Sequence, residues 1–319
     1  MKVAYVGGSW SSNIGNAFYN LGMDAFLRSI PGLDVYFVPD PPQWKENVKS
    51  DFDLIGNLDV DLVILAGPCL NYNLPVIYSP IFKKLQDRGV KFGFISAGMS
   101  MYDAGEAKHI QEFFQTLKPS FLFTRDSDSY SFHKDLNGIK VFDGLCTSMF
   151  LNDAVKVPAL VTEEYYVTNF DHTKDPSIAL KSDGTYEITS KTLKWKEEDT
   201  IGGHKIIRTN NCSITDGYKK IYNKPNTYHS DLPFGYLSLL KQAKVVFSER
   251  VHTCAATLVL GGTAQFIPIE KRSFEKRSRL FNRVQLHDIV NKPVKLNFDY
   301  LNAEKERMRS EFIQTLATI

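Results

Sequence analysis

The sequence predicts an α/β protein built from two Rossmann-like domains, on three observations. The chain has 319 residues, more than one hydrophobic core usually holds, and a typical domain size of roughly 150 residues gives two. Short apolar runs rich in β-prone residues alternate with amphipathic runs of helix length, the pattern of crossover helices covering both faces of a parallel sheet. Several of the apolar runs stop at Gly, Ser, Pro or Asp, where loops at the carboxyl edge of such a sheet face ligands.

Taken in order, the first half reads as strands over 2–6, 34–38, 61–65, 91–96, 121–124 and 139–142, with helices over 16–29, 77–87, 106–117 and 128–136. Periodicity fades over 153–160, which suits a linker. The second half resumes with a strand over 165–169, a hairpin turning at Ser182-Asp183-Gly184-Thr185 and a strand over 205–209. A helix over 232–242, a strand over 244–248, a helix over 253–260 and a strand over 264–269 follow. The last amphipathic stretch, 300–316, offers Leu301, Met308, Phe312 and Leu316 for docking. These readings divide the chain into an N-terminal domain over 1–155, a C-terminal domain over 156–299 and a final helix over 300–319.

Composition narrows the classes. Hydrophobic residues at 43% and charged residues at 23% are ordinary for a globular chain, against disorder or a coiled coil. The 38 basic and 36 acidic residues leave +2, so the molecule as a whole is no nucleic-acid surface and any anion site is local. Cys69, Cys146, Cys212 and Cys254 have no metal-ligand spacing and read as small core residues of a reducing compartment. No zinc or other metal site is expected. The first residues lack the apolar run of a signal peptide, and no stretch approaches a membrane span, so a cytoplasmic location is expected.

Three polar segments interrupt the α/β pattern. Gly7 to Ala17 leaves the first strand and enters the first helix; its spacing is neither a dinucleotide fingerprint nor a P-loop. It is either a tight turn capped by Asn13 or Asn16, or a contact from Asn13, Gly15 and Asn16 to an acceptor or phosphate. Arg125 leaves the strand 121–124 before a cap-rich helix start. It either captures a carboxylate or phosphate in bidentate fashion or pairs with Asp126 or Asp128. The sharpest segment is 245–256, where a buried strand runs through Arg250-Val251-His252 into a helix of small residues. There the helix dipole adds to the pull of Arg250 on an anion, and His252 titrates near neutrality and can move a proton. The alternative is an Arg and a His with purely structural roles. A basic cluster follows the next strand at Lys271, Arg272, Lys276, Arg277 and Arg279: a solvated face, or one from which Lys276 or Arg277 closes over the same pocket.

On these residues the chain resembles the polysaccharide pyruvyl transferase family. The resemblance is carried by Asn13-Ile14-Gly15-Asn16-Ala17 with Phe18, by Arg125-Asp126 with Ser129, and most specifically by 239–262, which holds an apolar strand, Ser248, Arg250-Val251-His252, a small-residue helix and a glycine. Val251 stands where leucine is common, and Cys146-Thr147-Ser148-Met149-Phe150 replaces a commoner Asp-Pro-Ala-Phe-like run. The resemblance implies a GT-B-like architecture with an interdomain cleft, acceptor on the N-terminal side and donor on the C-terminal side. It also implies transfer of pyruvate from phosphoenolpyruvate to a sugar as a cyclic ketal, without metal or nucleotide.

Carried over residue by residue, the resemblance assigns Arg125, Arg250, Val251 and His252 to phosphoenolpyruvate, with Lys271, Lys276 and Arg277 competing for a further basic position. Two or three fixed cations suit a donor bearing a carboxylate and a phosphate, and His252 suits the proton traffic. The acceptor implied is a sugar of a cell-envelope or exopolysaccharide glycan, with peripheral membrane contact only through a lipid-linked substrate. A nucleotide-sugar glycosyltransferase on the same architecture and a non-catalytic glycan or anion binder are the competing readings.

Overall fold

The computed structural model describes residues 1–10, 13–39, 54–67, 69–158, 161–171, 173, 175–189, 199–212, 226–268 and 273–319. The chain divides into two units, one comprising Met1–Gly8, Asn20–Phe150 and Phe298–Ile319, the other Ser9–Tyr19 and Leu151–Asn297.

In the first unit, β1 (Lys2–Gly7), β2 (Asp34–Pro39), β3 (Leu62–Ala66), β4 (Lys91–Ala97), β5 (Phe121–Thr124) and β6 (Lys140–Asp143) form one parallel sheet in the order β2-β1-β3-β4-β5-β6. β1, β3, β4 and β5 are buried along nearly their whole length, as strands covered on both faces must be, which is why they read as continuous apolar runs. The helices are α1 (Gly15–Arg28), α2 (Asn73–Asp87), α3 (Ala104–Leu117) and α4 (Ser127–His133). The sequence reading starts α2 at 77; it begins at Asn73 because Pro75 falls in the first turn, where a missing N–H is tolerated. Asp103 and Asp126 cap α3 and α4 by accepting from Glu106 N–H at 2.8 Å and Ser129 N–H at 2.7 Å.

The last helix, Phe298–Leu316, belongs to this first unit and is not a separate third element. Leu301, Met308 and Phe312 are fully buried as their spacing predicts, and Phe312 packs against Phe26, Phe121 and Phe123. Thr315, not Leu316, is the final buried position. Glu311 pairs with Lys140 of β6 at 2.6 Å.

The second unit contains α5 (Leu151–Ala154), β7 (Tyr165–Asn169), the hairpin β8 (Ser177–Leu180) and β9 (Tyr186–Thr189), then β10 (Thr200–Ile201), β11 (His204–Thr209) and β12 (Thr227–Tyr228). It continues with α6 (Pro233–Gln242), β13 (Val246–Ser248), α7 (Val251–Val259) and β14 (Ala264–Phe266). Its main sheet runs β10-β11-β7-β13-β14, with β12 also on β11; all pairings except β10 with β11 are parallel. The hairpin turns where Asp183-Gly184 predicts, with Gly184 at φ +81°. The chain passes between units at Phe150 and Leu151, a few residues before the expected 155. The larger departure is at the other end, because residues 9–19, expected in the N-terminal domain, group with the second unit.

Candidate functional site

The polar residues of the second unit converge on the carboxyl edge of its sheet. β11, β7 and β13 are parallel neighbours, and their last residues, Thr209, Asn169 and Ser248, lie side by side in register. Asn169 is the hub. Its Nδ2 donates to Thr209 Oγ1 at 2.9 Å and to Asn211 Oδ1 at 3.0 Å, while its Oδ1 accepts from Ser248 Oγ at 2.9 Å and Thr253 Oγ1 at 3.1 Å. Asn211 Nδ2 donates in turn to Thr253 Oγ1 at 3.0 Å. All five side chains are buried, so the network is satisfied internally and holds the start of α7 against the strand ends.

That helix start carries Arg250 and His252. Arg250 is the N-cap residue of α7, in extended conformation, and its N–H donates to Ser248 Oγ at 2.9 Å. A guanidinium at the positive end of a helix is electrostatically unfavourable alone. Here Asp171, two residues past β7, meets Arg250 Nε at 2.5 Å, and Cys212 Sγ lies 2.6 Å from Arg250 Nη2. Burial works against the charge of Arg250, and Asp171, Cys212 and Glu249 together more than offset it, so the guanidinium is held above its ordinary pKa. Burial pushes the Cys212 thiol up to about 11, with Arg250 pulling it down and Asp171 pushing it up. Asp171 Oδ1 also accepts from the Asn211 N–H at 2.8 Å. Glu249, beside Arg250, accepts from Asp171 N–H at 2.8 Å and Thr173 Oγ1 at 2.7 Å. Val251 and His252 are both buried, at 9% exposure.

The Asn13–Asn16 segment closes on this same group. Ile14 N–H donates to the Asn211 carbonyl at 2.8 Å, and the Tyr19 ring packs on the His252 ring with centroids 5.0 Å apart. Asn13 Oδ1 accepts from Gly15 N–H at 2.9 Å and Asn16 Nδ2 donates to the Ser9 carbonyl at 3.0 Å, so both side chains brace the turn that enters α1. Gly15 is required by proximity: a Cβ there would lie 2.8 Å from Asn211 Nδ2 and 3.6 Å from His252 Cβ. Two segments that the sequence reading assigned to different domains thus share one unit and touch.

Arg125 belongs to the first unit and is almost wholly buried, at 1% exposure. Its Nε lies 3.5 Å from Asp126 Oδ2, and its Nη2 donates to Tyr102 Oη at 3.2 Å. Of the two readings for this residue, the pairing with Asp126 is present in the structure. Tyr102 Oη donates onward to Asp126 Oδ2 at 2.9 Å, and burial pushes its phenol up to about 12. Lys276 and Arg277 lie half-buried in a 3-10 segment, Ser273–Val284, that follows β14; Arg279 is exposed. Lys271 lies outside the described residues.

The sequence reading missed Asn169, Asp171 and Asn211, and it placed Cys212 among core cysteines, whereas only Cys69, Cys146 and Cys254 are buried. The available signal is position: Asn169 ends one strand of the second half, and Asp171 and Asn211 each come two residues after a strand end, the carboxyl-edge position read as ligand-facing in the first half. Among the described residues no group of three His, Cys, Asp or Glu is placed to hold a metal ion, and no helix is long and apolar enough to cross a membrane.

The second unit is thus an α/β unit whose largely parallel sheet holds an Arg and a His at a buried helix N-terminus on its carboxyl edge. The family model for polysaccharide pyruvyl transferase matches residues 13–263, and the chain belongs to that family. No curated protein sequence matches the chain. Among solved structures, the chain is similar to a putative UDP-N-acetylglucosamine 2-epimerase from Listeria monocytogenes at TM-score 0.53 and 10% identity. It is equally similar to the S. aureus MnaA–UDP complex, at TM-score 0.53 and 8% identity; in both cases 97% of this chain and 90% of the other is covered. At these identities the likeness shows the fold: α/β, with two Rossmann-like units of GT-B-like architecture.

Proposed function

We propose that this chain transfers pyruvate from phosphoenolpyruvate to a sugar of a glycan as a cyclic ketal, with Arg250 and His252 at the centre of its site. The observation that carries the reading is the buried start of α7, where Arg250 and His252 flank one residue and the Asn13–Asn16 segment packs beside them. The helix N-terminus and Arg250 offer a site for a donor carrying a carboxylate and a phosphate. Asp171 and the Asn169 network fix the guanidinium, so little ordering is left for the moment of binding. Lys276 and Arg277 are assigned to the donor as further cations, and Val251, Asn13, Gly15 and Asn16 to the lining of the site, while Arg125 stays with its Asp126 pairing in the first unit.

The reaction moves two protons. Protonation of the enol carbon gives a cation-like centre; one sugar hydroxyl attacks it and loses its proton, the C–O bond to phosphate breaks, and a second hydroxyl closes the ketal and loses its own. One hydroxyl proton therefore balances the new methyl group and the other leaves on phosphate. His252 is assigned to this traffic because an imidazole accepts and donates near neutral pH. Phosphoenolpyruvate is a co-substrate and no resident cofactor is assigned. The acceptor is taken to be a cell-envelope or exopolysaccharide glycan handled in the cytoplasm.

Donor binding tests the reading against its nearest competitor. Calorimetric titration with phosphoenolpyruvate and, separately, with a UDP-hexose is expected to give heat with the first and none with the second. Binding of the UDP-hexose alone would assign the site to nucleotide sugars instead.

A further inference from the structure

The proposed reaction accepts two hydroxyl protons and delivers two, one to carbon and one to phosphate. One imidazole that donates and accepts in turn balances these transfers only if it reaches each of those atoms, and a second acid/base group beside it would divide the work. We propose that His229 is the second proton-transfer group of this site; the proposal rests on the pyruvyl transfer reading.

The backbone brings His229 to the right edge. β12 runs parallel to β11 with Thr209 opposite Tyr228, so His229 emerges beside the carboxyl end of β11, where Asn210, Asn211 and Cys212 follow. Its ring nitrogen Nδ1 lies 3.2 Å from Tyr236 Oη. The direction of that bond follows from the other partners of the phenol. Tyr236 Oη donates its one proton to the Asn210 carbonyl at 2.7 Å, and it accepts from the Ser230 N–H at 3.3 Å. A carbonyl only accepts, so the phenol proton is committed and His229 Nδ1 must be the donor. The neutral ring therefore carries its proton on Nδ1 and its lone pair on Nε2, the state of a base oriented by a second group.

Tyr236 is buried at 1% exposure and His229 is half-buried. The path from His229 to α7 is short in bonds: Tyr236 holds the Asn210 carbonyl, and the next residue, Asn211, is held by Asp171, Asn169 and Thr253. Burial, the largest effect, favours the neutral ring of His229, while among the described residues Asp231 and Asp171 favour the imidazolium. Asp171 is the carboxylate that meets Arg250, so His229 and the guanidinium share one electrostatic neighbour.

The test is the pH dependence of acceptor-dependent phosphate release from phosphoenolpyruvate, measured on the full chain with alkyl hexosides as acceptors. Wild type is compared with His229→Gln, Tyr236→Phe and Arg250→Ala, each checked for cooperative unfolding. His229→Gln is expected to lower kcat about 10²-fold, the scale of one acid/base group, to leave KM for phosphoenolpyruvate unchanged and to make the acid-side fall of the profile shallower. Tyr236→Phe, which keeps the ring but removes the acceptor for Nδ1, is expected to lower kcat less and also to change the acid limb; it decides the question if His229→Gln does not fold. A His229→Gln protein with wild-type kcat and profile, while Arg250→Ala is inactive, overturns the role of His229 alone. No release from wild type with any acceptor overturns the pyruvyl transfer reading together with it.

Discussion

The Ile14 amide donates to the Asn211 carbonyl at 2.8 Å, which ties the segment between β1 and α1 to the strand ends around Arg250. Asn211 is also held through its side chain by Asn169 and Thr253, so the first polar segment of the chain is part of the scaffold under His252. Gly15 is the tightest point of that junction. Gly15→Ala would set a Cβ 2.8 Å from Asn211 Nδ2 and 3.0 Å from Asn13 Oδ1, and overpacking of this kind costs about 1–3 kcal/mol. A lower denaturant midpoint for the second unit, with a kcat loss exceeding any change in KM, is the expected pair of results; a fully wild-type protein would mean that the junction yields without strain.

Asp171 connects Arg250 and Cys212 electrostatically. Removing its charge by Asp171→Asn leaves Arg250 without the carboxylate that offsets its burial, and breaking a buried pair costs about 3–5 kcal/mol. It also removes one of the influences raising the Cys212 thiol, whose pKa is pushed up to about 11 chiefly by burial. Alkylation of Cys212 is therefore expected to quicken in Asp171→Asn and to slow in Arg250→Ala, where the cation favouring thiolate is gone. Mass mapping of alkylated peptides measures both rates; equal rates in the two variants would contradict the coupling.

How much of this was legible in the residues depends on where the information lay. The strands of the first sheet were readable because burial on both faces leaves continuous apolar runs, as in Val3 to Val6 and Leu62 to Leu65. Arg250 and His252 were readable because polar residues between a buried strand and a small-residue helix break a local pattern. Asn169, Asp171, Asn211 and Cys212 carry no more local sign than their place at strand ends, since their meeting depends on β7, β11 and β13 lying in parallel register. The grouping of the Asn13–Tyr19 segment with the second unit is hidden for the same reason: sequence order places it after β1, and its neighbours show in the Ile14 to Asn211 bond, the Gly15 approach to Asn211 and the Tyr19–His252 contact.

Arg125 and Asp126 form a buried pair in the first unit, at 1% and 0% exposure. Gly98 is the residue against which Arg125 packs, because a Cβ there would land on the guanidinium. Gly98→Ala is expected to destabilise the first unit by displacing that guanidinium from Tyr102 and Asp126, and Arg125→Ala to cost about 3–5 kcal/mol by leaving the buried Asp126 carboxylate without its cation. Chemical denaturation checks both. An Arg125→Ala variant of wild-type stability would show that the pair is not what holds this corner together.

His133 gives the first unit a pH dependence. It is fully buried, its Nδ1 lies 2.8 Å from the Ser129 carbonyl, and burial holds its imidazole below the ordinary 6.5, against the smaller opposing effects of Ser129 and Asp126. A folded-state pKa below the unfolded one means that the stabilisation is complete above 6.5 and is lost as the pH falls through the folded value. The urea midpoint of the first unit is expected to fall between about pH 7 and about pH 5, and His133→Gln to flatten that fall. An unchanged slope in the variant would assign the dependence elsewhere.

The proposed work of Arg250 and His252 on phosphoenolpyruvate is read out by phosphate release across a panel of hexoside acceptors, run on wild type, Arg250→Ala and His252→Ala. The account predicts release that requires an acceptor and falls by at least about 10²-fold in each variant. Release that persists in both variants, or none from wild type with any acceptor, would contradict it.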